Sequence, residues 1–213
     1  LLEPYTKIFQ PSIKILLKMM LTGLPLDDKR VLEVEKELQI KHDMHFNALK
    51  KYAEIEDFNY NFRCTIMSDT NNALKRKIKP FSDFLKHEFN PKSNNNIRTL
   101  FYEQLAYAPI DFTETKQAAT GAKTLAKLVN VAKQDSHKEI LEHLIGIGQT
   151  SKILNTFIKA FKKYNLRGYL HGSLKLGGTQ SGRLSSSDPN LQNLPSNSIY
   201  GKAIKSCFKA PDG

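Results

Sequence analysis

SKILNTFIKAFKKY, residues 151–164, carries the pattern that decides the fold class. At 100° per residue, Ile153, Leu154, Phe157, Ile158, Phe161 and Tyr164 project onto one face. Lys152, Asn155, Thr156, Lys159, Lys162 and Lys163 project onto the other. A helix with one side in a core and one in solvent produces this recurrence, whereas a half-buried strand alternates residue by residue. The stretch is therefore a helix with an apolar and a cationic side. Its period reaches back to about residue 136, with Gly146 and Gly148 as places where the helix bends.

Working upstream, Thr120 is placed to cap another helix, and Ser93, after the turn Phe89-Asn90-Pro91, to cap one over roughly 94–106. From about 57 to 88 aromatics mix with Asn and Lys, and the segment reads as an insertion without an assigned element. Asp27 is placed to cap a helix running through Val31, Leu32 and Leu38 towards Tyr52. Ile8, Ile13, Leu16, Leu17, Met20 and Leu21 give a first helix over 5–22, stopped by Gly23 and Pro25.

Downstream, the character changes near residue 167. Tyr169 to Lys175 suit a short strand, and the Gly/Ser/Asn/Pro-rich stretch to Asn197 suits an extended loop. Pro211-Asp212-Gly213 reads as a turn where a strand could begin. Within the loop, GGTQSGRLSSSDPNLQNLP (177–195) offers small hydrogen-bonding side chains, glycines that permit close approach, and one Arg. Gly177, Gly182 and Arg183 come near a phosphate-cradling P-loop, but that motif needs Lys and then Ser/Thr before a helix. Here Leu184 follows Arg183 and Pro189 interrupts any helix, so a nucleotide-triphosphatase is excluded.

Composition narrows the partners. The 213 residues hold 32 Lys+Arg against 21 Asp+Glu, a net charge of +11, which favours a polyanion. Residues 151–213 hold ten Lys/Arg and two Asp, so most of the excess lies in the last third. Cys64 and Cys207 have no metal-binding spacing and suggest a reducing compartment; His171 reads as a strand residue and Cys207 as a small core residue. No apolar run approaches the roughly 18 residues of a membrane span, so a cytoplasmic location is expected. The start lacks Met and the end falls after a turn, so both ends look cut.

SGRLSSSDPNLQNLP (181–195) resembles, almost letter for letter, the motif that opens the palm of family A DNA polymerases, the bacterial DNA polymerase I type. MLTGLPLD (20–27) resembles the entry to their polymerase region, FNPKS (89–93) the Phe-Asn-x-x-Ser of their thumb, and SKILNTFI (151–158) the thumb helix along the primer. The resemblance implies a mainly α fold, a helical thumb, with a small α+β segment from the start of the palm. The implied domains are a helix at the base of the polymerase region (1–26), the thumb (27–166, with a possible insertion at 57–88) and the N-terminal part of the palm (167–213).

The site residues follow from the same resemblance. Arg183 would reach the minor groove at the primer terminus, with Asn190, Gln192 and Asn193 on the duplex beside it. Ser151, Lys152 and Thr156 would meet primer phosphates, and Asn90 and Ser93 the backbone further up the thumb. The partner is primer-template DNA, with dNTP and Mg²⁺ in the full enzyme. The metal-binding carboxylates are expected outside this chain, because neither Asp188 nor Asp212 matches a catalytic position, so the chain alone is expected to be inactive.

Departures from the family pattern are Ala119, Thr120 and Gly121 before the second thumb helix, Gly148 where many relatives have Arg, and Asn197, Ala203 and Ser206 where Arg is common. These favour a phage-type enzyme, in which residues 57–88 could grip a processivity partner. A stand-alone DNA-binding or processivity module and one half of a split polymerase remain alternatives.

Overall fold

The structure, a computed structural model, describes residues 2–74, 78–195 and 199–210. Asn197 and the turn at 211–213, Asp212 included, lie outside the described residues, as do residues 75–77 of the expected insertion. The fold is mainly α with small antiparallel sheets. By compactness the chain divides into two units, 41–149 and 1–40 with 150–213.

In the unit 41–149, the helices Ala53–Ala73, Asn94–Arg98 and Ala122–Asn130 surround a core that includes Phe58, Leu100, Phe101, Leu128, Ile140, Leu141 and Ile147. Ser93 caps as expected, its hydroxyl accepting the Asn96 N–H at 3.3 Å. Thr120 does not cap. The N-cap position belongs to Gly121, and the Thr120 hydroxyl donates to Asn94 Oδ1 at 3.0 Å instead. Half of the blurred segment is regular helix, Ala53–Ala73, followed by a 3₁₀ turn, Phe81–Phe84.

In the other unit, Asp27 caps as expected, its Oδ1 accepting from the Lys29 and Arg30 amides at 3.1 Å each, and the helix Asp28–Leu49 follows. Helix Gln10–Thr22 ends at Gly23, whose φ of 70° is the left-handed conformation that glycine adopts cheaply. The helix Asp135–Ile153 passes through a π-helical turn, Leu154–Ile158, into Lys159–Tyr164. The irregularity thus falls after the glycines rather than at them. Gly146, in the unit 41–149, lies inside regular helix, and the His45 ring packs 2.5 Å from where a Cβ would stand, leaving no room for a side chain.

The projected faces are as read from the sequence: Ile153, Phe157, Ile158 and Phe161 are buried, while Lys152, Asn155, Thr156, Lys159, Lys162 and Lys163 are exposed. Together with Val34, Leu170, Ile204 and Cys207 the buried side chains form the core of this unit, where Phe161 and Phe208 meet edge to face at 5.3 Å.

Strands β1 (Leu24–Pro25), β2 (Asn165–Leu166) and β3 (Tyr169–Leu170) form an antiparallel sheet in the order β1-β3-β2. The two-residue β2–β3 loop, Arg167 and Gly168, has φ of 54° and 83°, as the tightest hairpins with native twist require. The expected strand over 169–175 is broken at His171-Gly172. Its second half, β4 (Ser173–Lys175), pairs in a separate sheet with β5 (Ser185–Ser187), a strand inside the stretch expected to be loop. His171 is held by Nδ1 at 2.8 Å from the Met20 carbonyl oxygen, and Cys207 is buried, its thiol pKa pushed up to about 11 by desolvation.

Candidate nucleic-acid interface

The loop 177–195 is shaped by its small residues. Thr179 donates through its hydroxyl to the Arg183 carbonyl oxygen at 2.8 Å, and the Gly182 amide donates to the Thr179 carbonyl oxygen at 3.2 Å. Gly182 closes this turn at a φ of 73°. Arg183 leaves the turn exposed, and its guanidinium has no hydrogen-bond or ion-pair partner among the described residues.

Past β5 the loop is stapled from inside. The buried Ser186 hydroxyl donates to the Pro189 carbonyl oxygen at 3.1 Å and accepts the Leu191 amide at 3.2 Å. Leu191 and Leu194 pack on the core of the unit, which turns Asn190, Gln192 and Asn193 outwards. Asn190 spends its Oδ1 on the Gln192 amide at 3.2 Å and keeps its two amide donors for a partner.

The cationic helix face belongs to the same unit, but its charges are unequal. Lys162 pairs with Glu35 at 3.0 Å. Lys163 donates to the Tyr164 oxygen at 3.1 Å and sits 4.7 Å above that ring; the hydrogen bond raises its pKa above the usual lysine value. Lys152 and Lys159 have no ion-pair partner among the described residues, so their charge is available. Thr156 is exposed. The Ser151 hydroxyl is buried and without a hydrogen-bond partner among the described residues, so reaching a phosphate requires it to change rotamer.

Asn90 and Ser93 lie in the other unit, where both have structural work. Asn90 Oδ1 accepts the Lys92 amide at 2.9 Å, and Ser93 holds its cap. Gly148 lines a cleft of about 250 Å³ with Asn94, Ile97, Thr120 and Leu144, and an added Cβ there meets nothing within 4 Å.

The model of DNA polymerase family A matches residues 64–213, 150 of the 213 residues. This chain belongs to DNA polymerase family A. DNA polymerase I of Geobacillus stearothermophilus is 28% identical over 205 residues, 95% of this chain and 19% of that protein. DNA polymerase I of Pseudomonas aeruginosa is 34% identical over 143 residues, 66% of this chain and 15% of that protein. The family A chain thus spans under a fifth of the length of these relatives. Its fold is similar to the POL domain of Pol1 from M. smegmatis, solved in complex with DNA primer-template and dNTP. That likeness has a TM-score of 0.74 at 18% identity and covers 97% of this chain and 30% of the other.

Among the described residues no group of three or more His, Cys, Asp or Glu side chains is arranged to hold a metal ion. Asp188, the one acid of 167–195, accepts a hydrogen bond from the Tyr164 hydroxyl at 2.7 Å. Sequence reasoning missed that bond. It assigned Tyr164 to the core by its ring, and hydrophobic periodicity carries no information about a hydroxyl. No helix of the described residues is long and apolar enough to cross a membrane.

Proposed function

We propose that this chain grips primer-template DNA as part of a family A DNA-directed DNA polymerase. In this reading 1–26 is the base of the polymerase region, 27–166 the thumb and 167–213 the start of the palm. One observation carries it: Arg183, Asn190, Gln192 and Asn193 stand outward on a loop pinned to the same core as the helix that exposes Lys152, Thr156 and Lys159.

The chemistry matches a duplex end. Every base pair presents an acceptor in the minor groove at purine N3 or pyrimidine O2, so an unpaired guanidinium such as Arg183 tests pair shape without reading sequence. The amides of Asn190, Gln192 and Asn193 donate or accept and thereby set register. Lys152 and Thr156, with Asn90, Ser93 and a rotated Ser151, meet backbone phosphates, contacts blind to sequence. A cytoplasmic setting is part of the reading, since Cys64 and Cys207 are both free thiols.

Template-directed synthesis from dNTP belongs to the whole enzyme. Two-metal phosphoryl transfer needs converging carboxylates, and the described residues bring no three acids, His or Cys together to hold Mg²⁺. In this reading the chain by itself is non-catalytic.

The test is anisotropy titration on a recessed primer-template and on a continuous duplex of equal length. Arg183→Ala is expected to weaken capture of the paired primer terminus more than binding to the continuous duplex. An equal loss on both overturns the role given to Arg183.

A further inference from the structure

Resting on the reading of 177–195 as the DNA-contact loop, we propose that Tyr164 and Asp188 form a latch that sets this loop in register on the cationic helix, with Tyr164 as its positioning residue. The loop is held at one end by pairing of β5 with β4 and beyond it by the Ser186 staple. Both restraints come from within 172–195, and the packing of Leu191 and Leu194 on the core is non-directional. The Tyr164–Asp188 bond, at 2.7 Å, ties the loop to the last turn of Lys159–Tyr164, the continuation of the helix that carries Lys152 and Thr156.

Asp188 occupies a pivotal place. It lies directly after β5 and two residues before Asn190, so its tether holds the segment that leads into Asn190, Gln192 and Asn193. Its φ of 54° is left-handed, a conformation that Asp and Asn tolerate through their short polar side chains. An anchored side chain selects that conformation against the extended alternatives open to an exposed residue.

The charges also agree. A carboxylate in a loop that approaches phosphates would repel them, and Lys163 offsets it by donating to the Tyr164 oxygen that in turn donates to Asp188. Tyr164 thus accepts from a cation and donates to an anion, and its position is fixed from both sides.

The test separates the latch from the DNA reading. Hydrogen–deuterium exchange of the DNA-free chain reads the latch, and the two duplexes described above read its consequence. In Tyr164→Phe, which keeps the ring, amide exchange over 183–194 is expected to rise while exchange in Asp135–Ile153 is unchanged. Affinity for the primer terminus is expected to fall roughly fivefold, the order of one lost hydrogen bond, with the continuous duplex little affected.

Asp188→Asn, whose amide oxygen still accepts and which tolerates the same φ, is expected to behave as the parent, and Asp188→Ala as Tyr164→Phe. Unchanged exchange in Tyr164→Phe overturns the latch, as does Asp188→Asn failing as badly as Asp188→Ala. Raised exchange with equal loss on both duplexes overturns the positioning role. If the parent chain shows no preference for the primer terminus, the primer-grip reading fails, and exchange still decides the latch.

Discussion

Lys152 and Lys162 are lysines on one exposed helix face, yet only Lys162 has an acidic partner, Glu35, among the described residues. Sequence makes the two equivalent; their surroundings do not. A lysine already paired gains less from a phosphate, because it must first give up its carboxylate, whereas an unpaired one releases a counterion from DNA outright. Lys152→Ala is therefore expected to reduce the slope of log K against log salt by about one unit, measured by anisotropy titration at several salt concentrations. An unchanged slope would mean that Lys152 is merely solvated. Ser151, its neighbour, illustrates the converse. The family resemblance implies a phosphate contact for it, but its hydroxyl is turned inwards.

Among the elements, capping and amphipathic periodicity were legible because they are local. Asp27 and Ser93 cap as read, each accepting amides two or three residues ahead. Thr120 does not, since its hydroxyl reaches Asn94, a partner 26 residues away that no local pattern announces. Ser93 can serve both as cap and as backbone contact, and the first role is testable without DNA. Ser93→Ala is expected to lower stability by about 1 kcal/mol, read from the urea midpoint. No change would mean that the cap is dispensable and the residue free for DNA. Apart from Gly172, the residues of 169–175 suit a single strand. It is split at His171-Gly172 because the first half pairs with β1 and β2 and the second with β5.

For the molecule as a whole, pH acts through a pair that sequence does not announce. His45 Nδ1 and His143 Nδ1 lie 2.9 Å apart, one ring donating and the other accepting. Burial first, then the charges of His143 and His42, hold the His45 pKa below the ordinary 6.5. The folded state therefore binds fewer protons than the unfolded chain, and stability falls as pH drops through about 6.5, continuing until folded His45 itself protonates. Asp27 and Asp111, held below 3.8 chiefly by the Arg30 amide and by Lys127 respectively, lose their contributions only in more acid solution. The urea midpoint is accordingly expected to fall between about pH 8 and pH 5.5, and to fall less in His45→Asn. A midpoint equally sensitive in both proteins would assign the effect elsewhere.

The sequence by itself determined the helical class, the helix with its apolar and cationic faces, two of the caps and the resemblance now established as membership of family A. These follow from spacing within a turn or two of helix, or from fifteen consecutive residues. Tertiary structure alone decided which cations stay unpaired, that Thr120 reaches Asn94, that β5 forms within the loop 177–195, and that Tyr164 holds Asp188. Each of these depends on a partner distant in the chain or on burial of a single polar atom, and the pattern of residue types along a sequence encodes neither.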